Sequence, residues 1–180
     1  MKKVLILSGS PRRGGNSDTL CDRFAKGALD AGHEVEKIFV AEKKIQPCLG
    51  CYYCKDHGGE CVYKDGMADI LQKIIDCDVL VLSSPVYFYS ISAQLKAVID
   101  RCVARWTEIA NKDLYYITTA MEEEDDTMDG TIACFHGFAM CIDGYYEKGT
   151  LYGRGLGDKH DVEGRPEYLT IAYEMGNSIR

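Results

Sequence analysis

The chain has 180 residues, enough for one ordinary domain. Hydrophobic residues at 46% and charged residues at 27% describe a globular mixture, neither disordered nor membrane-embedded. A net charge of −7 argues against nucleic-acid binding, so any phosphate must be gripped locally by a loop.

Apolar runs of four to five residues are too short to span a bilayer. Met1 to Leu7 is basic and then apolar, but the run stops at Ser8, short of a signal-peptide core, which predicts a cytoplasmic protein.

Val4 to Leu7 is a continuous apolar run closed by Ser8-Gly9-Ser10-Pro11, as expected of a strand buried on both faces. Leu20, Phe24 and Ala28 stripe a helix from about Ser17 to Ala31, ending at Gly32. A second strand is expected from His33 to Val40. Pro47 then opens a cysteine-rich loop at about 46–64. Met67, Ile70, Leu71, Ile74 and Ile75 predict a second amphipathic helix, with Asp65 as its cap. Val79 to Leu82 is a third buried strand. Leu95, Val98, Ile99, Cys102, Val103 and Trp106 form a third helical stripe. Leu114 to Thr119 is a fourth strand. A fourth helix runs along Ile132 to Ile142 despite Gly137, a fifth strand lies between Gly144 and Tyr152, and a helix carrying Tyr168 to Ile179 follows. This alternation predicts one α/β domain over 1–180, a three-layer flavodoxin-like sandwich whose five parallel strands are ordered 2-1-3-4-5.

Ligands of such sheets sit beyond the carboxyl ends of the strands, where strand order reverses. Gly9 to Ser17 joins the first strand to a helix N-terminus, where free N–H groups and the helix dipole favour an anion. Ser10, Asn16 and Ser17 add side-chain donors and Arg12 adds a charged fork. Gly15-Asn16 stands where a Walker A loop requires Lys-Ser/Thr, and no Gly-x-Gly-x-x-Gly is present here, so a phosphate monoester suits this loop better than a pyrophosphate. Pro85 to Ser90, after the third strand, places three aromatics where a planar ring could stack against an apolar wall and meet free backbone N–H groups. Gly153 to Gly157 precedes no evident strand-to-helix turn and reads as a bend at the sheet edge. Asp100-Arg101 reads as a surface or interface pair. No nucleophile–base pair is evident, so hydrolytic chemistry has no support.

Three motifs carry a family resemblance. Gly-Ser-Pro-Arg-x3-Asn-Ser at 9–17, Ser-Pro-Val-Tyr-Phe-x2-Ile-Ser-x-Gln-Leu-Lys-x2-Ile-Asp-Arg at 84–101 and Ala-Tyr-Glu-Met-Gly at 172–176 resemble the NADPH-dependent FMN reductase family, in particular its iron–sulfur flavoprotein branch. The resemblance runs along nearly the whole chain and is weakest from Glu122 to Tyr152. It implies an oxidoreductase that carries electrons from NAD(P)H through FMN to a quinone-like or other acceptor. The alternative it implies is an electron carrier serving redox protein partners. It assigns Ser8, Ser10, Arg12, Asn16 and Ser17 to the FMN phosphate. Pro85, Val86, Tyr87 and Phe88 would line the isoalloxazine, with Thr119 and Ala120 on its other side. It also implies a homodimer or homotetramer. Met121 to Asp129, with six acids, matches nothing in the resemblance and reads as a solvated loop, or as a segment that tunes the flavin or repels anionic partners.

Of nine cysteines, Cys48, Cys51, Cys54 and Cys61 fall within 14 residues, where an even spread would place fewer than one. Cys-x2-Cys-x2-Cys-x6-Cys resembles the [4Fe–4S] motif of the iron–sulfur flavoproteins. Zinc needs only four thiolates, and free thiols persist in a reducing compartment, so cluster, zinc and metal-free loop all remain open. His57 lies within this segment as a supporting group. Cys21, Cys77, Cys102, Cys134 and Cys141 sit in apolar stretches and read as small core residues.

Overall fold

The computed structural model describes residues 1–180. Five strands form one parallel sheet in the order β2-β1-β3-β4-β5: β1 Lys3–Ser8, β2 Glu34–Phe39, β3 Val79–Pro85, β4 Asp113–Thr119 and β5 Tyr146–Gly153. The helices are α1 Asn16–Asp30, the single turn α2 Tyr53–Asp56, α3 Met67–Asp76, α4 Ala93–Arg101, α5 Asp129–Ala139 and α6 Pro166–Asn177.

Successive strand residues point to opposite faces, and the central strands are apolar on both, so the sheet builds two cores. Leu5, Leu7, Leu80, Leu82, Leu114 and Tyr116 pack with α3, α4 and α5. Val4, Ile6, Val79, Val81, Tyr115 and Ile117 pack with α1 and α6 on the other face. The α1–α6 contact is the closest helix pairing in the molecule. A Cβ on Gly27 would overlap the Tyr173 carbonyl oxygen, and one on Gly176 would overlap that of Phe24.

Several elements differ from expectation at their ends. The second strand begins at Glu34, after His33. The helix of the third stripe stops at Arg101, and short 3-10 turns at Cys102–Ala104 and Trp106–Glu108 follow. The 3-10 turn at Cys102–Ala104 and the departure of Arg105 from the helical region (φ −145°) break the helical spacing, and Val103 and Trp106 are both exposed outside the core. Gly66, not Asp65, occupies the cap position of α3. Helix α5 runs through Gly137 because its apolar face, with Ile132, Phe135 and Phe138, is buried on the sheet.

The order of the strands separates the β1 and β3 crossovers to opposite faces of the sheet. The loops leaving β1, β3, β4 and β5 therefore meet beyond their carboxyl ends, which is where the candidate residues lie.

Candidate functional site

The β1–α1 loop is held from beneath by Asp18. This buried carboxylate accepts the Ser8 hydroxyl at 2.7 Å, the Gly14 N–H at 2.9 Å and the Lys37 ammonium at 3.0 Å. Burial pushes the Asp18 carboxyl up, but these three donors together hold it below the ordinary carboxylate value. Lys37 also reaches Asp22 at 2.5 Å, so two carboxylates share one ammonium. Ser8 is thus a buried prop of the loop and does not line the depression above it.

That depression, of about 140 Å³, is walled by Ser10, Arg12, Asn16 and Ser17 on one side and by Pro85, Val86, Tyr87, Thr119 and Ala120 on the other. The expected residues differ in what they have left to offer. The Ser10 hydroxyl closes a tight turn with the Arg12 backbone, 3.1 Å to both its N and its O. The Asn16 amide is fully engaged. Its Nδ2 donates to the carbonyls of Leu156 (3.2 Å) and Asp158 (2.8 Å), and its Oδ1 accepts the Val162 N–H (3.1 Å). Ser17 is different: the residue lines the depression, and its Oγ is buried with no hydrogen-bond partner. No side chain caps the N-terminus of α1, so the first N–H groups of the helix are also open.

Two cations border the depression. Arg12, on the exposed rim, sends one N–H 3.4 Å to the Gly157 carbonyl, and Lys159 stands on the opposite wall. The sequence reading missed Met121, Leu156, Gly157 and Lys159 as wall residues. The glycine-rich stretch at 153–157 was the available signal. It does lead from a strand to a helix, through Asp161–Gly164 into α6. Leu156 seals the base, with its N–H on the Ala120 carbonyl at 2.7 Å.

The β3 loop supplies less free backbone than its position promises. The Val86 N–H donates to the Thr119 carbonyl (2.8 Å), and Tyr87 and Ser90 bond to each other. Phe88 and Tyr89 are both left-handed (φ 49° and 60°), and the Tyr89 carbonyl is tucked against Gly130 of α5. This throws Phe88 wholly into solvent. It borders a neighbouring hollow of about 240 Å³ with Tyr89, Glu122 and Thr127, while Val86 and Tyr87 line both hollows. The acidic segment is partly neutralised: Asp125 pairs with Arg154 at 3.2 Å and Glu123 with Arg165 at 3.7 Å.

The cysteine segment occupies a separate concavity of about 310 Å³ at the end of α4. Cys48, Cys51, Cys54 and Cys61 all line it, with Tyr52, Tyr53 and Val62 among its apolar walls. The Gly50 N–H donates to the Cys48 sulfur at 3.4 Å. Four thiols in one apolar hollow are the right donor chemistry for a cluster or for zinc. No three His, Cys, Asp or Glu side chains stand at metal-holding distance, so the sulfurs share a cavity without converging. His57 turns away from them to stack on Tyr53, with centroids 3.6 Å apart. Of the remaining cysteines, Cys21, Cys77 and Cys102 are buried as expected, whereas Cys134 is half-buried and Cys141 is exposed on the outer side of α5's end.

An open parallel sheet of this order, with an anion-ready helix N-terminus beside an apolar wall at the point of strand reversal, defines a flavodoxin-like protein. Comparison narrows the class. The NADPH-dependent FMN reductase family model matches residues 2–126, and the chain belongs to that family. An iron–sulfur flavoprotein of Methanocaldococcus jannaschii is 42% identical over 99 residues, 55% of this chain and 51% of that one. One from Archaeoglobus fulgidus is 43% identical over 101 residues, 56% of this chain and 45% of that one. The chain thus aligns with about half the length of these curated relatives. A solved NAD(P)H:quinone oxidoreductase from Methanothermobacter marburgensis superposes with a TM-score of 0.73 over 99% of both chains at 18% identity, a likeness of fold. No helix is long and apolar enough to cross a membrane.

Proposed function

We propose that the chain binds FMN at the β1–β3–β4–β5 end of the sheet and acts as an oxidoreductase, taking electrons from NAD(P)H and delivering them to a quinone-like or other small acceptor. The observation that carries this reading is the buried, unpartnered Ser17 hydroxyl at an uncapped helix N-terminus. A buried polar group without a partner is destabilising, and a phosphate oxygen would satisfy it. FMN supplies the hydride and electron chemistry when bound. The chain's own residues bind and orient it. Ser17 and the first N–H groups of α1 would meet the phosphate, and Arg12 and Lys159 would supply positive charge that the acidic chain lacks overall. Pro85, Val86 and Tyr87, with Thr119 and Ala120 beside them, would exclude water from the ring. Phe88, fully exposed beside them, is placed to meet a substrate or a second subunit.

The test is cofactor identity and reduction. Heat-released cofactor should run as FMN in stoichiometric amount, and NADH or NADPH should bleach the flavin band in a stopped-flow experiment. FAD, or no flavin after reconstitution, would overturn the binding reading. Bound FMN that neither nucleotide bleaches would overturn the reductase reading alone.

The cysteine concavity favours a second reading, an electron carrier in which a metal centre passes single electrons to redox protein partners. Cys48, Cys51, Cys54 and Cys61 would hold that centre as a [4Fe–4S] cluster, whereas zinc there, being redox-inert, would be structural only; in either case the loop would have to move to bring the sulfurs together. Iron, acid-labile sulfide and zinc per chain, after anaerobic purification and reconstitution, decide it. The absence of all three leaves a flavin-only reductase.

A further inference from the structure

The cysteine loop leaves the body of the protein at Gln46 and returns at Asp65, and one buried side chain holds both ends. Arg101, the last residue of α4, is 3% exposed and is no surface pair with Asp100, which turns away to Lys96. Its Nη1 donates to the Gln46 carbonyl and to Asp65 Oδ2, both at 2.9 Å, and its Nη2 donates to Asp65 Oδ1 at 3.0 Å. Asp65 in turn accepts the Gln46 N–H at 3.0 Å and the Met67 N–H at 3.2 Å. The Tyr63 ring lies against the guanidinium, 5.3 Å from its centroid, and fixes its plane. The neck of the loop is therefore a closed set of hydrogen bonds around one arginine.

That set leaves something over. Arg101 Nε is buried and has no hydrogen-bond partner. An arginine N–H shut away from water without an acceptor is destabilising. Arg101 is also part of the wall of the cysteine concavity, and the Cys61 thiol stands beside its guanidinium. A neutral thiol is a poor acceptor, whereas a metal-bound sulfur carries negative charge and accepts N–H groups well.

We propose that Arg101 is a positioning residue of the cysteine site: its fork ties Gln46 to Asp65 and closes the loop, and its Nε–H donates to the sulfur of Cys61. The role rests on the metal reading of the cysteine concavity. A positive charge and an N–H···S hydrogen bond both favour the more negative, reduced form of a cluster, so Arg101 raises its reduction potential. Asp65 does the opposite electrostatically while sharing the clasp. The two residues thus act together on loop geometry and in opposition on the potential.

The experiment uses the full chain, with FMN bound, reconstituted anaerobically with ferrous iron and sulfide. Arg101→Gln and Asp65→Asn should both speed deuterium exchange across residues 46–65 while leaving the strands protected. Arg101→Gln should lower the reduction potential of the cluster, and Asp65→Asn should raise it. Arg101→Lys, which keeps the charge but can neither bridge three acceptors nor present the Nε donor, should speed exchange and lower the potential by less than Arg101→Gln does. If Arg101→Gln does not fold, Asp65→Asn and Arg101→Lys carry the same comparison. Potentials that move in the same direction in the Asp65 and Arg101→Gln variants, or in neither, would show a merely structural residue and overturn the donor role. Unchanged exchange in all variants would overturn the clasp. A wild type that takes up no iron would overturn the metal reading, and this inference with it, whatever the variants do.

Discussion

In the β1–α1 loop a single hydroxyl separates the residues that build it from the one left free for the proposed phosphate. Ser8, Ser10 and Asn16 are each tied into the protein, so removing any of them removes a support. Ser17 supports nothing. Ser17→Ala should therefore leave thermal stability unchanged or slightly raised, because it deletes an unsatisfied buried group, while weakening FMN binding by about tenfold or more, the loss of one charge-assisted hydrogen bond. Calorimetric titration with FMN and a melting curve without it give the two halves. An equal loss in both would make Ser17 structural.

Asp65 sets a pH dependence at the same scale. Partial burial pushes its carboxyl up, but Arg101 and the N–H groups of Gln46 and Met67 outweigh that and hold it at about 2. A carboxyl lowered in the folded state stabilises the fold above its ordinary value near 4 and loses that contribution as pH falls from about 4 to 2. The amount is roughly 2 kcal/mol. Unfolding followed against pH should show this loss in the wild type and a flatter acid limb in Asp65→Asn. The thiols divide by burial as well. Burial pushes Cys21 and Cys102 up to about 12 and Cys77 to about 11, so in the native protein at neutral pH they should resist alkylation. Mass spectrometry after brief labelling should find the reagent on the loop cysteines and on Cys141 instead.

Among the elements, the central strands β1, β3 and β4 and helices α1, α3 and α6 were legible because each carries an uninterrupted period: continuous apolar runs for strands covered on both faces, and a stripe at every third or fourth position for the helices. What escaped was set by contacts distant in sequence. Nothing near Arg101 signals that its partners stand at 46 and 65. The end of α4 was misplaced because Val103 and Trp106 keep the helical spacing after the helix has stopped. The role of Leu156 and Gly157 depends on Asn16, some 140 residues earlier in the chain. Two glycines make opposite predictions. Gly176→Ala should destabilise by about 1–3 kcal/mol, since a methyl there meets backbone across the α1–α6 contact rather than a movable side chain. Gly137→Ala, on the open side of α5 with no atom within 4 Å, should stabilise by about 0.5–1 kcal/mol. Denaturant titration of both variants checks the signs side by side.

For the molecule as a whole, the parallel topology means that no part of the site is local. Its walls come from loops after four different strands, so the depression exists only when the entire sheet is assembled. A ligand bound there stabilises the folded state as a unit, and the apparent melting temperature should rise with FMN concentration. The two bordering cations also imply that binding weakens with salt; Lys159→Ala and Arg12→Ala should bind more weakly at low salt and show a shallower salt dependence, because they have lost their share of the screened attraction.

The manner in which Asn16 holds the loop after β5 has a consequence for how the site can change. Every atom it grips there belongs to the main chain: two carbonyls and one N–H. The latch itself therefore does not depend on the side chains of Asp158 and Lys159. Substitutions at these two positions can alter charge and shape at the mouth without removing the main-chain atoms that Asn16 holds. A binding site arranged this way can come to accept a different ligand by rewriting one short surface segment, with its foundation left untouched.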